Sequence, residues 1–303
     1  MKIRFWGVRG SIPVPGPATA RYGGNTACLE VTGAGGECII LDAGTGARAL
    51  GLDLARRKPL PPIYLFISHT HWDHIQGLPF FVPGYVKGAE IHVRGPVHFV
   101  ETKSLKEIFD HQMRYEFFPI SNIQLGATFT YDTMKEGALS VGGIALRSQF
   151  TNHPIRSLAY RLEENGKSLV YTGDHEPYQN IFAAPAKDAD DDLLFGSVDA
   201  TVEDANRRFV EFIRGADLLV ADSQYTPAEY PATKRGWGHA SWDWCLRWMK
   251  EGAVKRMILT HHDPARTDET LDKIQEEVRT AAKGMGLDPA AVEMAREGME
   301  VTA

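Results

Sequence analysis

Four side chains that bind divalent cations fall within six positions of one another: His69, His71, Asp73 and His74, in the run Leu65-Phe66-Ile67-Ser68-His69-Thr70-His71-Trp72-Asp73-His74. Neutral imidazole nitrogen and carboxylate oxygen suit a borderline divalent cation such as zinc. Four such donors on one short stretch exceed what a single tetrahedral ion takes from one loop. The spacing therefore implies two neighbouring metals. In an extended chain His69 and His71 point to the same side, because strand side chains alternate with a period of two. Asp73 and His74 follow where the chain turns into a helix.

The residues just before this cluster are apolar from 62 to 67, with the length and the β-branched and aromatic content of a buried strand. The donors thus sit on a loop at a strand end, held by rigid structure. Other polar residues stand at comparable places: Asn152-His153-Pro154 after a strand read at 139–151, Asp174 after one at 168–172, Asp222 at the end of 218–222, and His261 after 257–260. Further strands are read at 2–6, 27–32, 37–42, 90–94, 128–133 and 158–163. Helices are read at 47–57, from Asp73 toward Phe81, and at 99–114, 201–214, 241–251 and 268–283. Gly33-Ala34-Gly35-Gly36 reads as a hairpin turn and not a phosphate loop, since no lysine and no helix follow it. A second hairpin turn lies at Glu164-Asn165-Gly166-Lys167, and the acidic run Asp188-Ala189-Asp190-Asp191-Asp192 reads as a solvated loop without calcium-site spacing. Asp42 is expected behind a ligand, accepting an imidazole N–H or fixing the loop from Ser68 to His74, with direct ligation the alternative. His92, His98 and His111 lack metal-ligand neighbours and read as structural. Whether Phe80, Phe81, Phe117 or His175 lines a substrate pocket stays open. The alternation of strands and helices suggests two packed sheets covered by helices, one domain over 1–303 with its site at one edge.

The chain has 303 residues, 43% hydrophobic and 24% charged, enough to bury a sizeable core. No apolar run approaches the roughly 20 residues of a membrane span, and the opening residues lack the apolar core of a leader peptide, so a cytoplasmic location is expected. Cys28, Cys38 and Cys245 are odd in number and widely spaced, which argues for buried apolar roles over a disulfide or a metal site. Net charge is −6 with an isoelectric point near 6.0 and no basic run. A long nucleic acid is held mainly through phosphate neutralisation, so none is expected as a partner. A small anionic substrate remains compatible, because bound cations make a site locally positive.

His-x-His-x-Asp-His after an apolar strand resembles the signature of the metallo-β-lactamase superfamily. The resemblance implies an α+β fold, the four-layer αββα sandwich, and two divalent cations. Zinc comes first, with manganese, iron or nickel as alternatives. It places His69, His71 and His153 on one metal, Asp73, His74 and His261 on the other, and Asp174 between them. A bridging carboxylate offsets the repulsion of two cations about 3.5–4 Å apart, and such a pair can share an activated hydroxide. Asp222, then Gly238-His239-Ala240-Ser241 at a helix start, then Leu259-Thr260-His261 resembles the tRNase Z and cyclic-phosphodiesterase branch, where an acidic residue orients a histidine that assists phosphodiester cleavage. Catalytic roles are thereby implied for His239 and Asp222, beside Asp73. A helix N-cap is the alternative for His239. Phe5-Trp6-Gly7-Val8-Arg9-Gly10-Ser11 and Arg21-Tyr22-Gly23-Gly24-Asn25-Thr26 also look like those of bacterial members described as metal-dependent hydrolases or cyclic-nucleotide phosphodiesterases.

The chain departs from tRNase Z in lacking a long tRNA-gripping arm between His153 and Asp174, where only a hairpin fits. The expectation is a dinuclear hydrolase of a small phosphodiester, with a cyclic nucleotide in view. Hydrolysis of a carboxylic ester, thioester or lactone is the alternative. A di-iron redox or sensor protein is a third reading, and His71 counts against it, since the flavin-linked di-iron branch carries glutamate there. His175 and His262 lie beside ligands, and a substrate contact by either stays open. The partners implied are a small anionic molecule, no long nucleic acid and no membrane; a homodimer is compatible with this reading.

Overall fold

The computed structural model describes residues 1–96, 103–180 and 189–303, without the side chains of 122, 189–197, 231 and 232. The first half of the chain builds one sheet from β1 (Lys2–Gly7), β2 (Cys28–Thr32), β3 (Cys38–Leu41), β4 (Ile63–Phe66), β5 (Glu90–Pro96) and β6 (Thr128–Met134). The second half builds another from β7 (Gly137–Val141), β8 (Ile144–Phe150), β9 (Leu158–Glu164), β10 (Lys167–Tyr171), β11 (Leu218–Asp222), β12 (Met257–Thr260) and β13 (Val292–Met294). The chain then returns as β14 (Glu300–Thr302) to the free edge of β1. The sheets follow one plan, with strand orders β14-β1-β2-β3-β4-β5-β6 and β13-β12-β11-β10-β9-β8-β7. Each is antiparallel in its first part and parallel from β3 to β6 or from β10 to β13.

Strands buried on both faces need apolar residues at every position, and these have them. In β4, Phe66 faces the other sheet while Leu65 faces the helices α1 (Gly46–Leu54) and α3 (Leu105–Gln112). In β11, Leu218 and Val220 enter the inter-sheet layer, and Leu219 and Ala221 meet α4 (Ala189–Ile213), α5 (Trp242–Glu251) and α6 (Asp268–Gly284). The order of layers is therefore helix, sheet, sheet, helix, as expected. Each fully buried side chain of this size contributes about 1.5–3 kcal/mol. Strands β4, β8, β10, β11 and β12 all end at one edge, and the chemistry-bearing residues follow those ends. No helix among the described residues is long and apolar enough to cross a membrane.

Local readings differ from the sequence where turn chemistry or chain context intervenes. The strand read at 139–151 is the hairpin β7–β8, broken at Gly142 with φ 55°. The helix after Asp73 is a single turn, Trp72–Ile75. The Gly77 amide bonds back to the Ala43 carbonyl, and Pro79 follows without a donor. The helix read at 99–114 starts behind a Ser104/Glu107 capping box, while 99–102 and His98 lie outside the described residues. The acidic run opens α4 instead of forming a loop, at the end where a helix dipole favours negative charge; Asp188 itself is outside the described residues. The two hairpin turns are where the glycines place them, with Asn165 (φ 51°) and Gly166 (φ 72°) both left-handed, as a two-residue turn demands. All three cysteines are free and buried.

Candidate metal centre and active site

The metal loop is shaped from behind by Asp42. Its backbone is left-handed (φ 63°), a conformation aspartate tolerates better than most residues. Fully buried, its carboxylate accepts from the Ser68 amide (2.6 Å), the Ser68 hydroxyl (2.8 Å), the Tyr171 hydroxyl (2.7 Å) and His74 Nδ1 (2.8 Å). Asp42 thus does both tasks expected of it, holding an imidazole and fixing the loop. The same loop lies directly on the turn before α1: a Cβ on Gly77 would come within 1.9 Å of the Gly44 carbonyl oxygen.

Asp174, on the exit from β10, presents one carboxylate oxygen to each of two donor groups. Oδ2 lies 3.4 Å from His69 Nε2 and 3.9 Å from His153 Nε2. Oδ1 lies 3.2 Å from His74 Nε2 and 3.3 Å from His261 Nε2. The ligating atoms of His69, His71, His153 and Asp174 all lie within 4.8 Å of one another, as do those of Asp73, His74, Asp174 and His261. Asp73 Oδ2 faces His261 Nε2 at 3.2 Å and accepts the Ser11 amide at 2.6 Å.

The donor set fits a pair of cations. The outer nitrogens are taken: His69 Nδ1 by the Ser68 hydroxyl (3.1 Å), His74 Nδ1 by Asp42, His153 Nδ1 by the Gly238 carbonyl (3.1 Å) and His261 Nδ1 by Gln224 Oε1 (3.1 Å). Donating these N–H groups outward leaves the inner lone pairs aimed at the cluster. The inner nitrogens of His71 and His153 stand 3.0 Å apart, and those of His74 and His261 3.3 Å apart. His69 Nε2 and Asp174 Oδ1 are buried without any hydrogen-bond partner. Lone pairs converging in this way are stabilised by a cation and by little else.

Electrostatics agree. Burial holds His69 and His71 below the ordinary histidine value and brings His153 down to about 4, which favours the neutral, ligating form. Burial works the same way on His261, but the Asp174, Asp73 and Asp222 carboxylates outweigh it and raise that imidazole to about 9. His74 is raised for a similar reason, by Asp174, Asp73 and Asp42. The carboxylates thus call for positive charge here, and divalent cations would supply it while leaving both imidazoles neutral.

Beside these groups stands a third. Asp222, the last residue of β11, accepts His239 Nδ1 at 2.9 Å through Oδ2, which leaves Nε2 as the nitrogen able to act on a bound molecule. Burial pushes the Asp222 carboxyl up against the opposing pull of His239 and His261. The His239 ring stacks on that of His261 (centroids 4.9 Å) and meets Tyr225 edge-on (5.9 Å). Ser241, not His239, stands at the N-terminus of α5, so the helix-cap alternative falls away. Gly238 joins this loop to His153: its φ is 88°, and a Cβ there would lie 2.1 Å from His153 Nδ1.

All nine site residues singled out in the sequence therefore meet at one place. His175 and His262 do not join them. His175 is packed against Phe209 (3.9 Å) and Trp248 (4.9 Å), and its Nδ1 accepts the Asn152 amide. His262 donates from Nε2 to the Ala295 carbonyl (2.8 Å) in the bridge to Arg9. His92 stacks on Tyr64, Phe81 is core, and Phe80 and Phe117 are exposed. The sequence did not disclose Gln224, which holds His261, or Ser11, which holds Asp73. It also did not disclose Glu176, which accepts the Gly236 and Gly238 amides at 2.7 and 2.8 Å.

The profile of the beta-lactamase superfamily domain matches residues 38–262. The chain is 24% identical to ribonuclease Z of Thermoplasma acidophilum over 233 residues, 67% of this chain and 70% of that one. Its fold is similar to the metallo-beta-lactamase fold protein YhfI of Bacillus subtilis, with a TM-score of 0.65 at 18% identity over 99% of each chain. It is also similar to the short form of human tRNase Z, with a TM-score of 0.62 at 17% identity over 100% of this chain and 99% of that one. On the match of its sequence and the agreement of its fold, the chain belongs to the β-lactamase superfamily of metal-dependent hydrolases.

Proposed function

We propose that the chain hydrolyses a small phosphodiester, with a cyclic nucleotide as the substrate class in view. The observation that carries this reading is the Asp222–His239 pair set beside two donor groups that share Asp174. His69, His71 and His153 would hold one divalent cation, Asp73, His74 and His261 the other, with Asp174 serving both; zinc suits this nitrogen and oxygen set best. Bound there, the cations supply Lewis acidity toward phosphoryl oxygens and make water a usable nucleophile at neutral pH. The chain's own part is proton and charge management. Asp222 fixes the His239 tautomer through Nδ1, so Nε2 carries a proton to the leaving oxygen or stabilises charge on the phosphoryl group.

Ribonuclease Z, by its name, acts on a nucleic acid, whose linkage is also a phosphodiester. The small size of the substrate rests on the net charge of −6 and on the tight β9–β10 hairpin between His153 and Asp174. The same features favour small anions as substrates, and the cytoplasmic location expected from the sequence is part of this proposal. The test is a panel on zinc-loaded protein: bis(p-nitrophenyl) phosphate, cyclic mononucleotides, a thioester and a lactone. Diester turnover above the rest supports the reading, and turnover of the thioester or lactone alone would replace it with carboxylic ester hydrolysis.

A further inference from the structure

The loop between β11 and α5 carries groups that the metal centre does not use. Buried Glu176, two residues beyond Asp174, pins this loop by accepting the Gly236 and Gly238 amides and the Tyr230 hydroxyl (2.7 Å). The Gly238 carbonyl is tied to His153. A loop fixed at these points cannot tuck its side chains away as it pleases, yet it leaves the Trp237 indole 56% exposed. Behind that ring, Lys234 Nζ lies 4.0 Å from its centre and 5.5 Å from the centre of Tyr225, whose ring meets His239. Among the described residues Lys234 has no carboxylate partner, although acidic groups outnumber basic ones in this chain. The Tyr225 hydroxyl is buried without a hydrogen-bond partner. An ammonium held between two rings orients the outer ring and keeps positive charge near the site.

We infer that Trp237, backed by Lys234, is the stacking platform for the nucleobase of a nucleoside phosphodiester, with Lys234 adding positive potential toward its phosphate. This inference rests on the phosphodiesterase reading and extends it to recognition. Stacking on an aromatic side chain is sequence-tolerant and needs one free face, which Trp237 has.

The experiment compares two diesters with the same leaving group, thymidine 5′-(p-nitrophenyl phosphate) and ethyl p-nitrophenyl phosphate. Trp237→Ala should raise KM for the thymidine ester roughly five- to a hundred-fold more than for the ethyl ester, with kcat little changed, and Trp237→Phe should restore most of it. Lys234→Met should raise KM for both. Equal effects of Trp237→Ala on the two esters would overturn the platform. Equilibrium binding of thymidine 5′-monophosphate, read by titration calorimetry against inorganic phosphate, judges it independently of turnover. Nucleotide affinity unchanged in Trp237→Ala would overturn the platform even if no diester is cleaved, an outcome that on its own counts against the phosphodiesterase reading.

Discussion

Asp42 holds His74 by a 2.8 Å hydrogen bond to Nδ1, and the same carboxylate takes both protons that Ser68 can donate. One buried residue just after β3 therefore orients His74, a member of one donor group, and sets the course of the loop that carries three more donors.

From this, Asp42→Asn should fold but hold the cation at the Asp73–His74–His261 position about 10- to 100-fold more weakly, as read by metal titration calorimetry. Asp42→Ala leaves four buried donors unpaired and should lose about 3 kcal/mol or more of stability in denaturant unfolding. Unaltered metal affinity in Asp42→Asn would show that His74 needs no orientation.

Asp174 gives one oxygen to each donor group, so its loss touches both. Metal analysis after dialysis should find about two ions per wild-type chain and at least one fewer in Asp174→Ala. One ion or none in metal-supplemented wild type would contradict the two-cation assignment.

The legible part of the site was its ligands. The crowded loop after β4 marked His69, His71, Asp73 and His74 by spacing, whereas His153, Asp174, Asp222 and His261 each follow or end a plain apolar strand and were picked out there by the resemblance to the superfamily. Their supports were hidden because they act across the chain: Ser11 reaches Asp73 over 62 positions, Glu176 reaches Gly236 over 60 and Gln224 reaches His261 over 37. Nothing local marks such residues. Elements failed for a related reason: β13 and β14 have three residues each, too few to display a period of two, and an acidic run is as well solvated on a helix as on a loop.

Asp217 links the starts of β10 and β11, the strands that deliver Asp174 and Asp222. It accepts the Ser168 amide (2.9 Å) and pairs with Lys255 (2.8 Å) and Lys167 (3.2 Å). Burial alone would raise its carboxyl; Lys255, the Ser168 amide and Lys167 outweigh that and lower it to about 2. A carboxyl depressed on folding stabilises above its unfolded value near 4 and loses that contribution as pH falls toward 2. Asp217→Asn should cost about 1–2 kcal/mol at neutral pH, and the gap from wild type should close between about pH 4 and pH 2 in urea unfolding. A gap that is constant over that range would contradict the assignment.

The proposal of a small substrate rests on the net charge and on the short β9–β10 connection. Zinc-loaded protein should turn over bis(p-nitrophenyl) phosphate or a cyclic mononucleotide better than precursor tRNA, without the steep salt dependence of polymer binding. Phosphomonoesters should be poor substrates. Efficient endonucleolytic cleavage of the tRNA would overturn the small-substrate proposal.

The proposed phosphodiester hydrolysis depends most directly on His239, whose Nδ1 is fixed by Asp222 at 2.9 Å. The decisive measurement is kcat on a phosphodiester for His239→Ala at full metal occupancy, with wild type and Asp222→Ala in parallel. The expected result is a loss of roughly 10²–10⁴-fold with metal content and fold retained, and a smaller loss in Asp222→Ala. Wild-type turnover in His239→Ala would contradict the account and return the ester and lactone readings to the front.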